Sequence, residues 1–329
     1  MHSRLILFLL LLIAAPAWSG PDARLAIDTN RVTVSGLSAG GHMAHQLHIA
    51  YSDVFSGAAI IAGGPFGCAR GSLQTAFARC VSTTGGDLPP DEFIQDIREA
   101  AEKGLLANPA ALSNDRVWLF HGALDKAVAE GLSDVLYAEY LAFVPADQVI
   151  YVKDVPAAHN FPAAGHGHSC DAAEPPFVGD CDYDAAGRLL QQLYPGLENP
   201  AGEALNPLTE TPLPGAPEAG LDGVAYLYVP RACRQGTGAC ALHLVLHGCA
   251  QSAAQVGTAF IEQSGYLPWA EANAVVLAFP QVAPSAVNPM GCWDWWGYTG
   301  PDYRWRDGKQ MRVLTEWLES LSVPAGHIP

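Results

Sequence analysis

Positive charge is scarce in this sequence. Seventeen lysines and arginines stand against 33 aspartates and glutamates, leaving a formal net charge of −16. Such a field repels phosphate backbones and anionic lipid, so neither nucleic acid nor a membrane is expected as a partner. Long apolar runs are scarce too. Beyond the N-terminus no stretch approaches the roughly 20 apolar residues of a membrane-spanning helix. No Cys-x-x-Cys pair occurs, so a zinc site is not expected, and nothing calls for a cofactor. Internal repeats are absent. What the chain has instead is apolar mass: 50% of its 329 residues are hydrophobic, enough to build a sizeable core.

The N-terminus has the layout of a secretory signal over residues 1–19. Arg4 supplies the positive end, residues 5–13 the apolar stretch, and Ala17-Trp18-Ser19 a small-x-small site before Gly20. The mature chain is then expected to be secreted, extracellular or periplasmic, with 20–329 forming a single domain. Export makes the eight cysteines interpretable as disulfides. Proximity pairs Cys68 with Cys80, Cys170 with Cys181 and Cys233 with Cys240, leaving Cys249 and Cys292 for a long-range bridge. About a hundred connectivities are open to eight cysteines, so spacing alone does not fix this set.

Strand-like and helical patterns alternate. Residues 31–35 read as a strand, followed by a Gly-rich turn and an amphipathic helix through Met43, Leu47 and Tyr51. Further strands are expected near 57–62, 116–121 and 148–154, then near 224–229, 242–247 and 274–279, with a closing helix over 308–321. Residues 195–220, rich in proline and glycine, read as a connecting segment. The alternation implies an α/β fold, a mostly parallel central sheet covered by helices on both faces.

Gly36-Leu37-Ser38-Ala39-Gly40 lies between the first strand and the first helix. That context makes the motif a nucleophile elbow, with glycines where the backbone crowds and Ser38 left exposed. A serine hydroxyl needs a base, and the base needs an orienting carboxylate. Asp125 and His159 each follow a predicted strand, where ligands bind in such sheets, and they keep the chain order Ser, Asp, His. Asp115 precedes its strand, Asp134 falls inside a helical stretch, and His166 and His168 lie nearer Cys170. His121 reads as a structural or substrate-proximal residue.

The oxyanion hole requires two backbone N–H donors, one of them from Ala39, the residue after the nucleophile. The second normally comes from a loop upstream of the serine, but the expected mature chain offers only about 18 residues there. A suitable strand and loop, ending His247-Gly248-Cys249, occurs downstream instead. A circular permutation explains this. Joining the helix at 308–321 to residue 31 would restore the order strand, His-Gly loop, strand, helix, elbow, Asp, His. Pro329 should then lie near the start of the first strand.

These segments, with Ser35-Gly36-Leu37-Ser38-Ala39-Gly40-Gly41-His42-Met43-Ala44, His159-Asn160-Phe161-Pro162, Leu246-His247-Gly248-Cys249 and the run from Asn288 through Cys292 to Tyr298, resemble the poly(3-hydroxybutyrate) depolymerases. The similarity is to their fungal-type, single-domain, circularly permuted extracellular group, and so implies a circularly permuted α/β-hydrolase. It implies a triad at Ser38, Asp125 and His159, oxyanion amides at Ala39 and Cys249, and Cys292 as the mate of Cys249. It also implies a serine esterase acting on a hydrophobic polyester or oligoester; a monomer is expected. Aromatic residues cluster between 293 and 305. Trp305, flanked by Arg304 and Arg306, is the first candidate for substrate contact, with Trp295, Trp296 and Tyr298 beside it. A feruloyl or acetyl-xylan esterase is the alternative that keeps the chemistry and changes the substrate.

Overall fold

The computed structural model describes residues 25–323, except 85, 87, 205 and 237. The expected signal segment 1–19 and Pro329 lie outside the described residues. The main sheet is built from β1 (Leu25–Leu37), β2 (Gly57–Ile61), β3 (Arg116–Phe120), β4 (Val149–Val152), β8 (Thr209–Pro212), β9 (Val224–Tyr228), β10 (Cys240–Leu246) and β11 (Val275–Phe279). Three short strands, β5 (Phe161–Ala163), β6 (His168–Ser169) and β7 (Val178–Asp180), form a separate small sheet, and β12 (Ser322–Val323) pairs with the start of β1.

Across the main sheet the order is β4-β3-β2-β1-β10-β11-β9-β8. The strands from β4 to β11 run parallel; β9 is antiparallel to both its neighbours, so β8 runs again in the direction of β11. Starting at β8, running through β11 and then from β1 to β4, the strands fill the sheet from edge to edge with one exchange, β11 before β10. That is the circularly permuted α/β-hydrolase arrangement. The joint falls between β12 and β1, where Ser322 already pairs with Leu25. The segment 195–220, expected as a connector, also carries β8, an edge strand whose pattern is masked by its own Pro212 and by Pro207 just before it.

Period-two alternation sends side chains to two cores. Val117 and Leu119 of β3 face one cluster with Val34, Ile60, Leu244 and Val276; Trp118 and Phe120 face the other with Ile61, Val245 and Leu277. Helices Pro90–Glu102, Glu130–Tyr140 and Lys309–Leu321 cover the first face, and Ala185–Leu193 and Tyr266–Asn273 the second. Helix α1 (Ala39–Ala50) is not the half-exposed helix its pattern suggests. Every residue is buried, including His42, His45 and His48, because other segments close over its outer face. His45 Nε2 lies 2.8 Å from Glu139, and His48 Nε2 3.0 Å from Asp115, so these buried rings face carboxylates. The eight cysteines form Cys68–Cys80, Cys170–Cys181, Cys233–Cys240 and Cys249–Cys292, the pairs that proximity suggests.

Candidate active site

Ser38 stands between β1 and α1 at φ 58°, ψ −118°, a conformation that costs an L-residue roughly 1–3 kcal/mol. The flanking glycines make it feasible. A Cβ on Gly36 would fall 2.1 Å from Gly40 O, and one on Gly40 would fall 2.3 Å from Leu246 O. The second clash is with the end of β10, so Gly40 brings the elbow against the His-Gly-Cys loop from the other half of the chain.

Backbone hydrogen bonds continue beyond the strand ends and knit the loops into one edge. Ser38 N–H donates to Ile61 O at 2.8 Å, Ala62 N–H to Phe120 O at 2.9 Å, and His121 N–H to Val152 O at 2.9 Å. Ala123 N–H then donates to Val155 O at 2.8 Å, and Leu124 N–H to Ala157 O at 3.0 Å. A Cβ on Gly122 would sit 2.3 Å from Ala157 O, so only glycine lets the Asp125 turn lie this close to the His159 loop.

Across that contact His159 Nδ1 meets Asp125 Oδ2 at 2.8 Å. The other carboxylate oxygen accepts from Ala127 N–H at 2.8 Å and Val128 N–H at 3.0 Å. Burial works to raise the Asp125 pKa, but the hydrogen bond and charge of His159, with the two amides, outweigh it and hold the carboxyl below its usual range. Facing this carboxylate, Nδ1 is the nitrogen that donates, which leaves Nε2 as the one turned to other partners. The Asp125 side chain is 1% exposed and that of His159 14%, so the ring keeps one open edge.

The rival residues are engaged elsewhere. Asp115 is paired with His48, Asp134 accepts from Lys153 Nζ at 2.8 Å, and His168 Nε2 lies 2.9 Å from Pro175 O. His166 is exposed. His121 is buried with Nδ1 3.1 Å from Ser133 Oγ, and burial lowers its pKa. Among the described residues no three His, Cys, Asp or Glu side chains are grouped to hold a metal, and no helix is long and apolar enough to cross a membrane.

No family model matches the chain. Curated relatives do. A poly(3-hydroxybutyrate) depolymerase of Delftia acidovorans is 39% identical over 308 residues, covering 92% of this chain and 62% of the relative. A polyhydroxybutyrate depolymerase of Talaromyces funiculosus is 33% identical over 312 residues, covering 90% of each. Among solved structures, a PHB depolymerase from Penicillium funiculosum superposes with TM-score 0.84 at 32% identity, over 91% of this chain and 98% of that one. A serine-to-alanine PHB depolymerase complexed with an R3HB trimer gives 0.84 at 31%, with the same coverage. The chain belongs to the polyhydroxybutyrate depolymerase family. It spans 62% of the length of the Delftia family member.

In this depolymerase-family chain the aromatic segment is anchored to both sides of the elbow. Trp295 is 8% exposed and stacks on His42, one turn into α1, with ring centroids 4.8 Å apart. Burial drops the His42 pKa to about 3, so the stacked ring is neutral. Trp296 and Tyr298 are partly exposed, the Tyr298 hydroxyl donating to Cys292 O at 2.9 Å. Trp305 is also partly exposed, with the Arg304 guanidinium 4.3 Å from its ring centroid and Phe66 6.0 Å away. Asp294 holds the turn: its carboxylate accepts from the N–H groups of Gly297, Tyr298 and Thr299 and from the Thr299 hydroxyl, within 2.6–2.9 Å. Asp294 and Gln251, both polar and buried, have no motif that marks them in the sequence.

Proposed function

We propose that this protein is a secreted serine hydrolase that cleaves the ester bonds of poly(3-hydroxybutyrate) or its oligomers. One observation carries the assignment of roles. The 2.8 Å Asp125–His159 hydrogen bond lies on the sheet edge that carries the strained Ser38 elbow. Family membership supports the substrate class, since a relative of this fold is described in complex with an R3HB trimer. Four disulfides and no free cysteine among the described residues support an oxidising, extracytoplasmic location.

In the mechanism, His159 Nε2 takes the Ser38 proton as Oγ attacks the ester carbonyl carbon. Asp125 keeps the proton on Nδ1 and stabilises the imidazolium. The oxyanion is held by the N–H groups of Ala39 and Cys249, the former at the first residue of α1, where the helix dipole favours negative charge. His159 passes its proton to the departing alkoxide, and the hydroxyl-ended fragment leaves. Water, deprotonated by His159, then cleaves the acyl-enzyme and releases a hydroxybutyrate-type acid. Of the aromatic candidates, Trp305, Trp296 and Tyr298 have surface free for an apolar chain, while Trp295 acts chiefly through its packing on His42.

Ser38→Ala is expected to abolish clearing of a turbid poly(3-hydroxybutyrate) suspension and cleavage of the soluble trimer, with a wild-type melting curve. Turnover retained at the wild-type rate would remove Ser38 from the mechanism. Methyl ferulate run beside the polyester separates this substrate class from plant-polysaccharide esterases.

A further inference from the structure

The second oxyanion donor sits on a loop whose two peptide planes are both held by side chains. In the first, His247 to Gly248, the carbonyl accepts from Trp293 Nε1 at 2.9 Å and the N–H donates to Gln251 Oε1 at 2.6 Å. In the second, Gly248 to Cys249, the carbonyl lies 2.7 Å from His247 Nδ1. His247 Nε2 accepts from Val282 N–H at 3.2 Å, so Nδ1 carries the proton and donates. A trans peptide points its N–H opposite to its C=O. The Cys249 N–H is thus aimed away from His247, and it has no hydrogen-bond partner among the described residues.

Gln251 does more than hold one of these planes. Its side chain is buried, 1% exposed, and every polar atom is used. While Oε1 takes the Gly248 N–H, Nε2 donates to Pro176 O at 2.7 Å and lies 3.2 Å from Phe177 O. Phe177 O also accepts the N–H of Phe161, two residues beyond His159, at 2.8 Å. One amide therefore spans the loop bearing Cys249 and the segment bearing His159, which come from opposite halves of the chain.

We infer that Gln251 is a positioning residue for the reaction, fixing the Cys249 oxyanion donor in register with the His159 loop. The inference rests on the hydrolase reading above and deepens it. Without Gln251 the Gly248 N–H loses its acceptor, the plane keeps only its Trp293 anchor, and the next N–H is held less closely toward the developing charge. The ground-state ester, which gains little from an oxyanion donor, should bind as before.

Gln251→Met keeps length and volume but removes both polar contacts. In the full-length protein it is expected to lower kcat for a soluble short-chain ester by roughly tenfold to a hundredfold, less than outright loss of a donor. KM should stay within about twofold, and fluorophosphonate labelling of Ser38 should slow by the same factor as kcat. The labelling end-point counts folded enzyme, so a drop in yield is separated from a drop in rate. A wild-type kcat per labelled molecule, or a loss confined to KM, overturns the inference. If Gln251→Met does not fold, Gln251→Glu serves. It keeps an acceptor for Gly248 and loses the donor to Pro176 and Phe177, so a smaller fall in kcat is expected, and a wild-type kcat overturns the proposal. Failure of the wild-type protein to hydrolyse esters or to label would instead overturn the hydrolase reading itself.

Discussion

In the proposed triad a single hydrogen bond of 2.8 Å between Asp125 and His159 Nδ1 would set which nitrogen of the ring serves Ser38. Asp125→Asn keeps the shape of the side chain but can present an N–H to Nδ1. The imidazole then favours the tautomer whose proton faces the serine, and it no longer acts as a base. A fall in kcat of about 10⁴ is expected, with KM for a soluble ester little changed. Steady-state kinetics with the soluble trimer would check this, and a fall of less than tenfold would contradict it. The sequence pointed to Asp125 and His159 because each follows a strand of parallel type. It could not point to Gln251 in the same way. Its role depends on which carbonyls lie within reach, and two of them, Pro176 and Phe177, are some 75 residues away in the chain.

At the scale of elements, the elbow works because α1 and the end of β10 touch without side chains between them. Gly40→Ala would place a methyl 2.3 Å from Leu246 O and 2.5 Å from His247 O, both backbone atoms that cannot step aside. The substitution is expected to destabilise the protein by on the order of 3 kcal/mol and to separate Ala39 from Cys249. Denaturant midpoints together with kcat would test this, since an unchanged midpoint contradicts the packing argument. Beneath the elbow β1 and β10 are also joined through polar groups. His243 lies 2.7 Å from Thr33 Oγ1 and 2.8 Å from Ser35 Oγ, and Ser35 lies 2.8 Å from the Tyr266 hydroxyl. The strand at residues 31–35 was legible from alternation, but this clamp was not. A polar residue inside an apolar strand reads as a solvent-facing position until its partner is known.

At the scale of the whole molecule, several buried histidines make the fold sensitive to acid. Burial lowers the pKa of His42 and His243 from 6.5 to about 3, and that of His247 to about 4. In the unfolded chain these rings take up protons near pH 6.5, while in the fold they stay neutral. The unfolded state therefore binds more protons as pH falls below about 6.5. Stability should drop there by about 1.4 kcal/mol per pH unit for each ring, until the folded pKa is reached. Chemical unfolding at pH 7, 5.5 and 4.5 would measure the slope. Equal stability at pH 7 and 4.5 would mean that the rings are charged in the fold or replaced by compensating groups. Asp125, with its lowered pKa, adds to the loss at still lower pH.

By itself the sequence determined what depends on neighbours in the chain. The Gly-x-Ser-x-Gly turn, the Asp and His after strands and the His-Gly-Cys loop are local, because a strand end and a tight turn impose their residue types within a few positions. Order along the chain also carried the permutation, since a His-Gly-Cys loop downstream of its serine fits the sheet in only one way. The tertiary structure decided what depends on distant groups meeting. It buried α1 on every side, turned Trp295 against His42 and aimed the Cys249 N–H through His247, Gln251 and Trp293. Hydrogen bonds and ring contacts have directions, and only the folded arrangement of both halves fixes them. Ser38 could therefore be proposed from five residues, whereas the donor that would serve its oxyanion is set by side chains gathered from across the chain.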